Sequence, residues 1–150
     1  MYTDVSDFEN VSDREMDRDG LNLRLEVSSA GFLSATAAID QWAARLERSP
    51  VSIARLKVIL DEIWANLLRH DPAAAAGGDI ALYLKPHGAD GLRAQITDPG
   101  QAFDVTKAKV RSDRAPGGHG LLIIRELAES LSYKRQDGKN CLEFTINPDR

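Results

Sequence analysis

The sequence of 150 residues holds a single cysteine, few aromatic residues and no long apolar run. The lone Cys141 excludes an internal disulfide, and its setting in Asn140–Ile146 predicts a thiol buried in a strand. No apolar stretch approaches the roughly 20 residues that a membrane-spanning helix needs. Because the N-terminus also lacks the basic and apolar segments of a secretory signal, we expect a cytoplasmic protein without a membrane segment.

Charge is distributed unevenly along the chain. Residues 1–20 hold seven acids and two arginines, a net charge of −5, so the other 130 residues carry +1 within the total of −4. An acidic segment poor in apolar residues is typical of a disordered tail, with docking to a basic partner as the alternative. No long basic patch interleaved with aromatic residues occurs, so we expect no direct binding of nucleic acid. The composition predicts an acidic leader over residues 1–20 and one folded domain over residues 21–150.

The folded part alternates between the residue periods of strands and of helices. Strands are predicted over Leu21–Val27, Ile80–Leu84 and Leu92–Ile96, and over the hairpin arms Ser132–Arg135 and Cys141–Ile146 around a turn at Asp137-Gly138. Helices are predicted from a Ser34 cap to about Glu47, from near Ser52 to about His70, and from Gly118 to about Leu131. This order predicts an α+β fold in which helices cover one face of a mixed, mainly antiparallel sheet.

The first motif with chemical content lies in the second predicted helix. Glu62, Asn66 and His70 follow one another at intervals of four, so they line up along one edge of that helix, beside its apolar stripe. Asn66 offers a neutral oxygen of the kind that Mg²⁺ binds. Glu62 stands one turn away, where a general base can take a proton from a hydroxyl. The alternative is a solvated helix flank, with His70 acting as a cation near the helix C-terminus.

The second motif, Asp98–Asp104, follows a predicted strand. The Asp98 carboxylate can accept a hydrogen bond from an exocyclic amine such as that of adenine, and Gly100 would let a base approach the backbone. Phe103 is expected to pack under the loop, and Asp104 to cap or anchor the residues that follow it. A simple Asp-Pro-Gly turn is the alternative.

The third motif opens the third predicted helix and consists of Gly117, Gly118, His119, Gly120 and Leu121. Small residues leave backbone N–H groups free there, and the helix dipole adds positive potential, so a phosphate group is favoured. The preceding segment has no predicted regular structure and carries the basic residues Lys107, Lys109, Arg111 and Arg114. This basic loop either folds over the phosphates or is simply solvated. A Walker-type phosphate loop does not occur in the sequence.

Together, and in this order, the three motifs resemble those of the GHKL ATPase superfamily, which includes gyrase, histidine kinases and MutL. The closer resemblance is to the anti-sigma factor serine/threonine-protein kinases of the RsbW and SpoIIAB type. Residues 62–70 match that family's N-box, residues 98–104 its first glycine box, and residues 117–121 its second. The resemblance covers about residues 20–147. It departs from the family pattern at Leu67, Asp71-Pro72 and Gln101-Ala102, where other residues are more frequent.

The resemblance implies a two-layer α/β sandwich of the Bergerat type that binds Mg²⁺ and ATP between helices and a lid. Asn66 would hold Mg²⁺, Asp98 would bind adenine, and Gly118–Leu121 would contact the phosphates. Glu62 would act as the base on a serine of a STAS-domain anti-anti-sigma protein. Such kinases are homodimers that sequester a sigma factor until the unphosphorylated antagonist displaces it. The remaining candidate nucleotide contacts are His70, Gly100, Phe103, Lys107, Gly117 and His119.

Other functions compete with the anti-sigma kinase. A partner-binding module that holds nucleotide with little or no kinase activity would differ only in substrate docking, which leaves no motif in the sequence. The catalytic domain of a histidine kinase is disfavoured, because no dimerisation helix with a phosphoacceptor histidine precedes Leu21. A gyrase-like ATPase is disfavoured by the short chain and the missing transducer domain. We therefore expect an ATP-dependent protein-serine kinase that also binds a regulatory partner.

Overall fold

The computed structural model describes residues 19–71, 77–108 and 118–149, with the backbone alone at His70 and His119. The described strands are β1 (Leu21–Glu26), β2 (Asp79–His87), β3 (Gly91–Asp98), β4 (Glu129–Gln136) and β5 (Lys139–Ile146). The described helices are α1 (Ser29–Leu46), α2 (Pro50–His70) and α3 (Gly118–Leu127). None of these helices is long and apolar enough to span a membrane. Residues 1–18 of the expected acidic leader lie outside the described residues.

The strands form one sheet in the order β1-β2-β3-β5-β4, and each described pairing is antiparallel. The chain leaves β3 through α3 to the edge strand β4, and β5 then returns between β4 and β3. This return places Asn140 of β5 opposite Asp98 on one side and opposite Arg135 on the other. The predicted α+β sandwich is confirmed, and the topology brings the end of β3 beside the start of β5.

One hydrophobic core lies between the sheet and the helices. Alternate residues of the central strands contribute fully buried side chains, among them Leu82, Ile96 and Phe144. Helix α2 contributes a buried stripe made of Leu56, Ile59, Leu60, Ile63, Trp64 and Leu67. Trp64 meets Phe32 of α1 edge to face, with 5.7 Å between ring centroids. Since α2 contacts both α1 and α3, it is the helix on which the other two pack.

The predicted start of α1 is wrong. The helix begins at Ser29 and is capped by Ser28, whose Oγ accepts a hydrogen bond from Gly31 N at 3.0 Å, so Ser34 lies inside the helix. The early start depends on Gly31, because a Cβ at that position would clash with the backbone of Glu26. The turn from β1 into α1 is therefore tighter than the sequence pattern indicates.

The predicted end of α3 is wrong as well. The helix ends at Leu127, and Leu131 packs against the core from β4 instead of from a fourth helical turn. Ser130 has a positive φ of 51°, and the pairing register of β4 shifts between Glu129 and Ser132. This irregularity lets the strand begin at Glu129, with only Ala128 between it and the helix, while the apolar spacing continues. The pattern therefore suggested a longer helix.

The start of α2 is fixed by two neighbouring features. Pro50 occupies the first turn, where its missing N–H has no helical partner to lose, so the helix begins two residues before the predicted Ser52. Ser52 is buried and its Oγ donates a hydrogen bond to Asp90 O at 2.8 Å. The turn between β2 and β3 is thus tied to the first turn of α2.

The buried stripe of α2 predicts a contrast between two leucines of that helix. Leu60→Ala should lower the free energy of unfolding by about 2–5 kcal/mol, because a fully buried side chain is lost and a cavity remains. Leu68 is 40% exposed, so Leu68→Ala should change the same quantity by about 0.5 kcal/mol or less. Chemical denaturation measures both, and equal losses would contradict this placement of the stripe.

Candidate functional site

Helix α2 brings the first motif against the start of α3. Glu62 and Asn66 are both half-buried, one turn apart on the edge that borders the apolar stripe. The Glu62 carboxylate lies so close to Gly120 that a side chain at Gly120 would displace it. Gly120 and Leu121 are themselves buried in the first turns of α3. The predicted general base and the glycine-rich helix start are therefore neighbours.

The second motif meets the other end of α2. A Cβ at Gly100 would lie 2.7 Å from Leu67 Cδ2, 2.9 Å from Asp98 Oδ1 and 3.2 Å from Asp71 Oδ2. The first two distances are shorter than real Cβ atoms show, so a side chain at this position would force Leu67 and Asp98 to shift. Gly100 allows the loop after β3 to pack directly on the last turn of α2. All three motifs therefore converge on one helix.

Asp98 ends β3 with its two carboxylate oxygens in different surroundings. Its Oδ1 accepts hydrogen bonds from Gly100 N at 2.9 Å and from Asn140 Nδ2 at 3.0 Å. Within the described part of the chain, no hydrogen bond reaches Oδ2. Burial raises the pKa of Asp98 and the negative charge of Asp71 adds to the rise, whereas the bonds to Oδ1 and the positive charge of Arg135 oppose it. Asp98 thus has one oxygen to offer a ligand.

Asn140 holds the loop after β3 in place, although the sequence motifs did not indicate it. The residue is 7% exposed. Its Nδ2 donates to Asp98 Oδ1 at 3.0 Å and to Gln101 O at 2.8 Å. Its Oδ1 accepts from Phe103 N at 3.1 Å and from Tyr133 Oη at 2.6 Å. A polar residue at the head of an apolar strand is the one sequence signal for this role, and only the strand register shows that it faces Asp98.

Two charged side chains complete the hold on this loop. Arg135 Nη1 donates to Gly100 O at 2.7 Å. Asp71 Oδ2 accepts from Gln101 N at 2.7 Å. With the bonds from Asp98 and Asn140, every backbone N–H and C=O group of Gly100 and Gln101 is bonded to a side chain. Sequence spacing could not reveal these contacts, because they join elements about 30 residues apart.

The turn after the loop confirms one prediction and corrects another. Phe103 is 50% exposed, so its predicted packing under the loop is wrong. The backbone bond to Asn140 holds this residue at the loop surface and leaves the ring to solvent. Asp104 does anchor the next residues, because its Oδ1 accepts from the N–H and the hydroxyl of Thr106 at 2.8 and 2.5 Å. The hydroxyl bond is the main reason why the pKa of Asp104 lies below its ordinary value.

Helix α3 also contacts the turn that follows Asp104, through the side chain of Arg125. Arg125 Nε donates to Val105 O at 3.0 Å, and Arg125 Nη2 donates to Ala108 O. Lys107, a candidate phosphate contact, lies on this turn with its side chain exposed. The start of the basic loop is therefore fixed beside α3.

Other candidates lie beyond the described residues or only partly within them. Gly117, Lys109, Arg111 and Arg114 lie outside, and so do the side chains of His70 and His119. Gly118 begins α3, as predicted. No group of three or more His, Cys, Asp or Glu side chains that could hold a metal ion lies within residues 19–71, 77–108 and 118–149. Asn66 can give Mg²⁺ one oxygen, and phosphate and water commonly supply the other ligands of this ion.

Comparison with known proteins identifies the family of this chain. A family model described as the histidine kinase-like ATPase domain matches residues 32–146, which is most of the chain. The chain belongs to the histidine kinase-like ATPase family. A relative of this ATPase-family chain is the serine/threonine-protein kinase BtrW of Bordetella bronchiseptica, 32% identical over 120 residues. The aligned part is 76% of this chain and 80% of the relative.

A solved structure shows the same fold. The crystal structure of the RsbU and RsbW domains of Rv1364c from Mycobacterium tuberculosis matches this histidine kinase-like ATPase domain with a TM-score of 0.62 and 18% identity. The match covers 85% of this chain, which spans only 32% of that longer chain. Together these comparisons confirm the resemblance to RsbW-type members of the GHKL superfamily.

The site of this histidine kinase-like ATPase fits an adenine nucleotide with Mg²⁺. Asp98 Oδ2 is left as an acceptor for a ligand amine, because the described donors around that carboxylate bond to Oδ1. Gly118 and Gly120 give the first turn of α3 two positions without a side chain, where phosphates would approach. Asn66 lies one turn from Glu62 on the α2 edge that faces this helix start.

Removing the Asn140 carboxamide should loosen the loop. Asn140→Ala leaves Tyr133 Oη, Phe103 N and Gln101 O without their partner, so the free energy of unfolding should fall by about 2–4 kcal/mol. Hydrogen exchange at the Phe103 amide should quicken more than at core amides. Asn22→Ala, on the exposed side of β1, is the control and should leave both quantities unchanged. Unchanged exchange at Phe103 in Asn140→Ala would show that the carboxamide does not hold this loop.

Proposed function

We propose that this chain is an ATP-dependent protein-serine kinase that phosphorylates a STAS-domain anti-anti-sigma protein and sequesters a sigma factor. The observation that carries the proposal is the position of Glu62, which lies against the first turn of α3 on the helix that also bears Asn66. A base beside a phosphate-favouring helix start is the arrangement that phosphoryl transfer to a hydroxyl needs. The 32% identity to a serine/threonine-protein kinase supports the same activity.

Asp98 would select the base. Its free Oδ2 accepts a hydrogen bond, so it favours a ligand that donates one, as the exocyclic amine of adenine does. Guanine presents a carbonyl oxygen at the corresponding position, which would face the carboxylate as a second acceptor. The loop bonds to Asn140 and Arg135 keep this carboxylate in one orientation. The site should therefore prefer ATP over GTP.

Asn66 and the start of α3 would hold the charged end of the nucleotide. The Asn66 side-chain oxygen is a neutral ligand for Mg²⁺, which shields the phosphate oxygens when it is bound. Gly118 and Gly120 lie in the first turn of α3, whose backbone N–H groups have no helical partner and lie at the positive end of the helix dipole. These groups orient the γ-phosphate toward Glu62. Positioning and charge neutralisation provide most of the catalysis in reactions of this class.

Glu62 would act on the protein substrate. Its carboxylate accepts the proton of a serine hydroxyl as the serine oxygen forms a bond to the γ-phosphorus. The bond from that phosphorus to the bridging oxygen of ADP breaks in the same step, and ADP leaves with the bonding electron pair. The products are a phosphoserine and ADP, with the proton on Glu62 until water removes it.

The partner part of the proposal follows from the family resemblance. We infer a homodimer in the cytoplasm that binds a sigma factor and releases it when the unphosphorylated STAS protein displaces it. The second candidate is a partner-binding module that holds nucleotide with little kinase activity. The observation that favours it is the exposed Phe103 on the loop after β3, a ring that either the nucleotide or a partner can contact.

Incubation of the purified protein with γ-labelled ATP, Mg²⁺ and STAS-domain proteins of the same genome tests the proposal. We expect one STAS protein to acquire label on a serine, with ATP used in preference to GTP. ATP binding without labelling of any STAS protein would favour the nucleotide-holding module. Absence of ATP binding would contradict both functions.

Removing the Asn66 amide should affect the metal-dependent part of binding. Asn66→Ala should abolish the gain in ATP affinity that Mg²⁺ provides, because this helix edge loses its neutral oxygen ligand. Calorimetric titration with and without Mg²⁺ measures this gain. Asn22→Ala again serves as the control, since Asn22 is exposed on β1. An undiminished Mg²⁺ effect in Asn66→Ala would exclude Asn66 as the ligand.

Two variants test the role of Glu62, one by replacing its carboxylate and the other by displacing it. Glu62→Gln should slow phosphoryl transfer by about 10²–10⁴-fold while ATP binding is kept, because the amide cannot accept the hydroxyl proton. Gly120→Ala should also slow transfer, since the new Cβ displaces the Glu62 carboxylate, while alanine favours the helix by about 1 kcal/mol. Asp61→Asn, on an exposed position of the same helix, is the control. Full activity in Glu62→Gln would remove this residue as the base.

A further inference from the structure

Asp71 links the helix of the first motif to the loop of the second. It is the C-terminal cap of α2, and its backbone N–H donates to Leu67 O at 3.1 Å. Its carboxylate accepts from Gln101 N at 2.7 Å. The same oxygen lies 3.2 Å from the position that a Cβ on Gly100 would occupy. The carboxylate therefore sits between the end of the helix and the backbone of the loop.

The other side chains that hold this loop come from the sheet. Asp98 belongs to β3, Arg135 to β4 and Asn140 to β5. These three residues keep their mutual distances because their strands are paired. Among the hydrogen bonds to the backbone of Gly100 and Gln101, the bond from Asp71 is the one that comes from the helical layer. It fixes the loop relative to α2, whereas the others fix it relative to the sheet.

We propose that Asp71 is a positioning residue for the nucleotide, which sets the spacing between the base-binding Asp98 and the metal-binding Asn66. Asp71 lies five residues beyond Asn66, about 7.5 Å along the helix axis. The inference rests on the proposed function, because it assigns base and phosphates to these two residues. A ligand that contacts both Asp98 and Asn66 binds more tightly when their spacing is fixed, whereas the affinity of a ligand that contacts only Asp98 does not depend on that spacing.

Asp71 also acts on Asp98 through its charge. Among the described residues, the charged groups that act on Asp98 are Arg135 from β4 and Asp71 from the end of α2. Burial raises the pKa of Asp98, Arg135 opposes the rise, and Asp71 adds to it. A protonated Asp98 no longer offers two acceptor oxygens, so ATP affinity should fall as the pH falls through this pKa. Without the charge of Asp71, the fall should begin at a lower pH.

The experiment separates the hydrogen bond of Asp71 from its charge. Affinities for a non-hydrolysable ATP analogue with Mg²⁺, and for adenosine, are measured by calorimetry in wild type, Asp71→Ala and Asp71→Asn, with Asp61→Ala as control. Asp71→Ala should weaken binding of the analogue by about tenfold, as loss of one charged hydrogen bond would. Adenosine binding should change less than about twofold, because the sheet still holds Asp98.

Asp71→Asn tests the charge of Asp71 separately, because a purely structural role would not change the pH dependence of nucleotide affinity. The amide oxygen can still accept from Gln101 N, so affinity at neutral pH should stay within about threefold of wild type. The midpoint of the loss of affinity at low pH should shift downward. Equal weakening of the analogue and adenosine in Asp71→Ala, or an unshifted midpoint in Asp71→Asn, would overturn the inference. If wild type binds no nucleotide, the proposed function itself fails, whatever the variants do.

Discussion

The burial of one stripe of α2 is the constraint on which the rest of the site depends. The stripe is fully buried at Leu56, Ile59 and Leu60, so the helix cannot rotate about its axis without exposing it. With that rotation fixed, the edge beside the stripe carries Glu62 to Gly120, and Leu67 at the end of the stripe itself meets Gly100. The same packing that stabilises the fold therefore brings three separate motifs together. Two glycines make the close approach possible, and neither position tolerates a side chain without a shift.

A buried acceptor at the end of β3 depends on a second set of contacts. Burial of Asp98 disfavours its charge, and its pKa is raised accordingly. The Asn140 carboxamide and the Gly100 N–H offset part of that cost by bonding to one oxygen, which leaves the other for a ligand. Asn140 can serve the carboxylate and the loop together because β5 returns between β3 and β4. The sheet topology, and not a local motif, thus prepares the base-binding position.

The sequence predicted the helices and strands whose apolar residues recur at a regular spacing, and the site residues that fall in a short motif. Glu62, Asn66, Asp98 and Gly120 fall in such motifs, and the apolar stripe of α2 was evident from its spacing. Asn140, Arg135 and Asp71 could not be predicted, because their roles arise only when strand register and helix packing bring them to a distant loop. The missed helix boundaries have local causes. A glycine at close approach starts α1 early, and a register shift accompanies the start of β4, which only one residue separates from the end of α3.

A crystal structure of the protein with Mg²⁺ and a non-hydrolysable ATP analogue would test the central claim most directly. We expect the adenine amine to donate to Asp98 Oδ2 at about 2.7–3.2 Å. The γ-phosphate should lie at the first turn of α3, beside the Glu62 carboxylate, with Mg²⁺ bound by Asn66. A nucleotide bound elsewhere, or one whose phosphates point away from Gly118 and Gly120, would contradict the convergence of the three motifs on a single catalytic site.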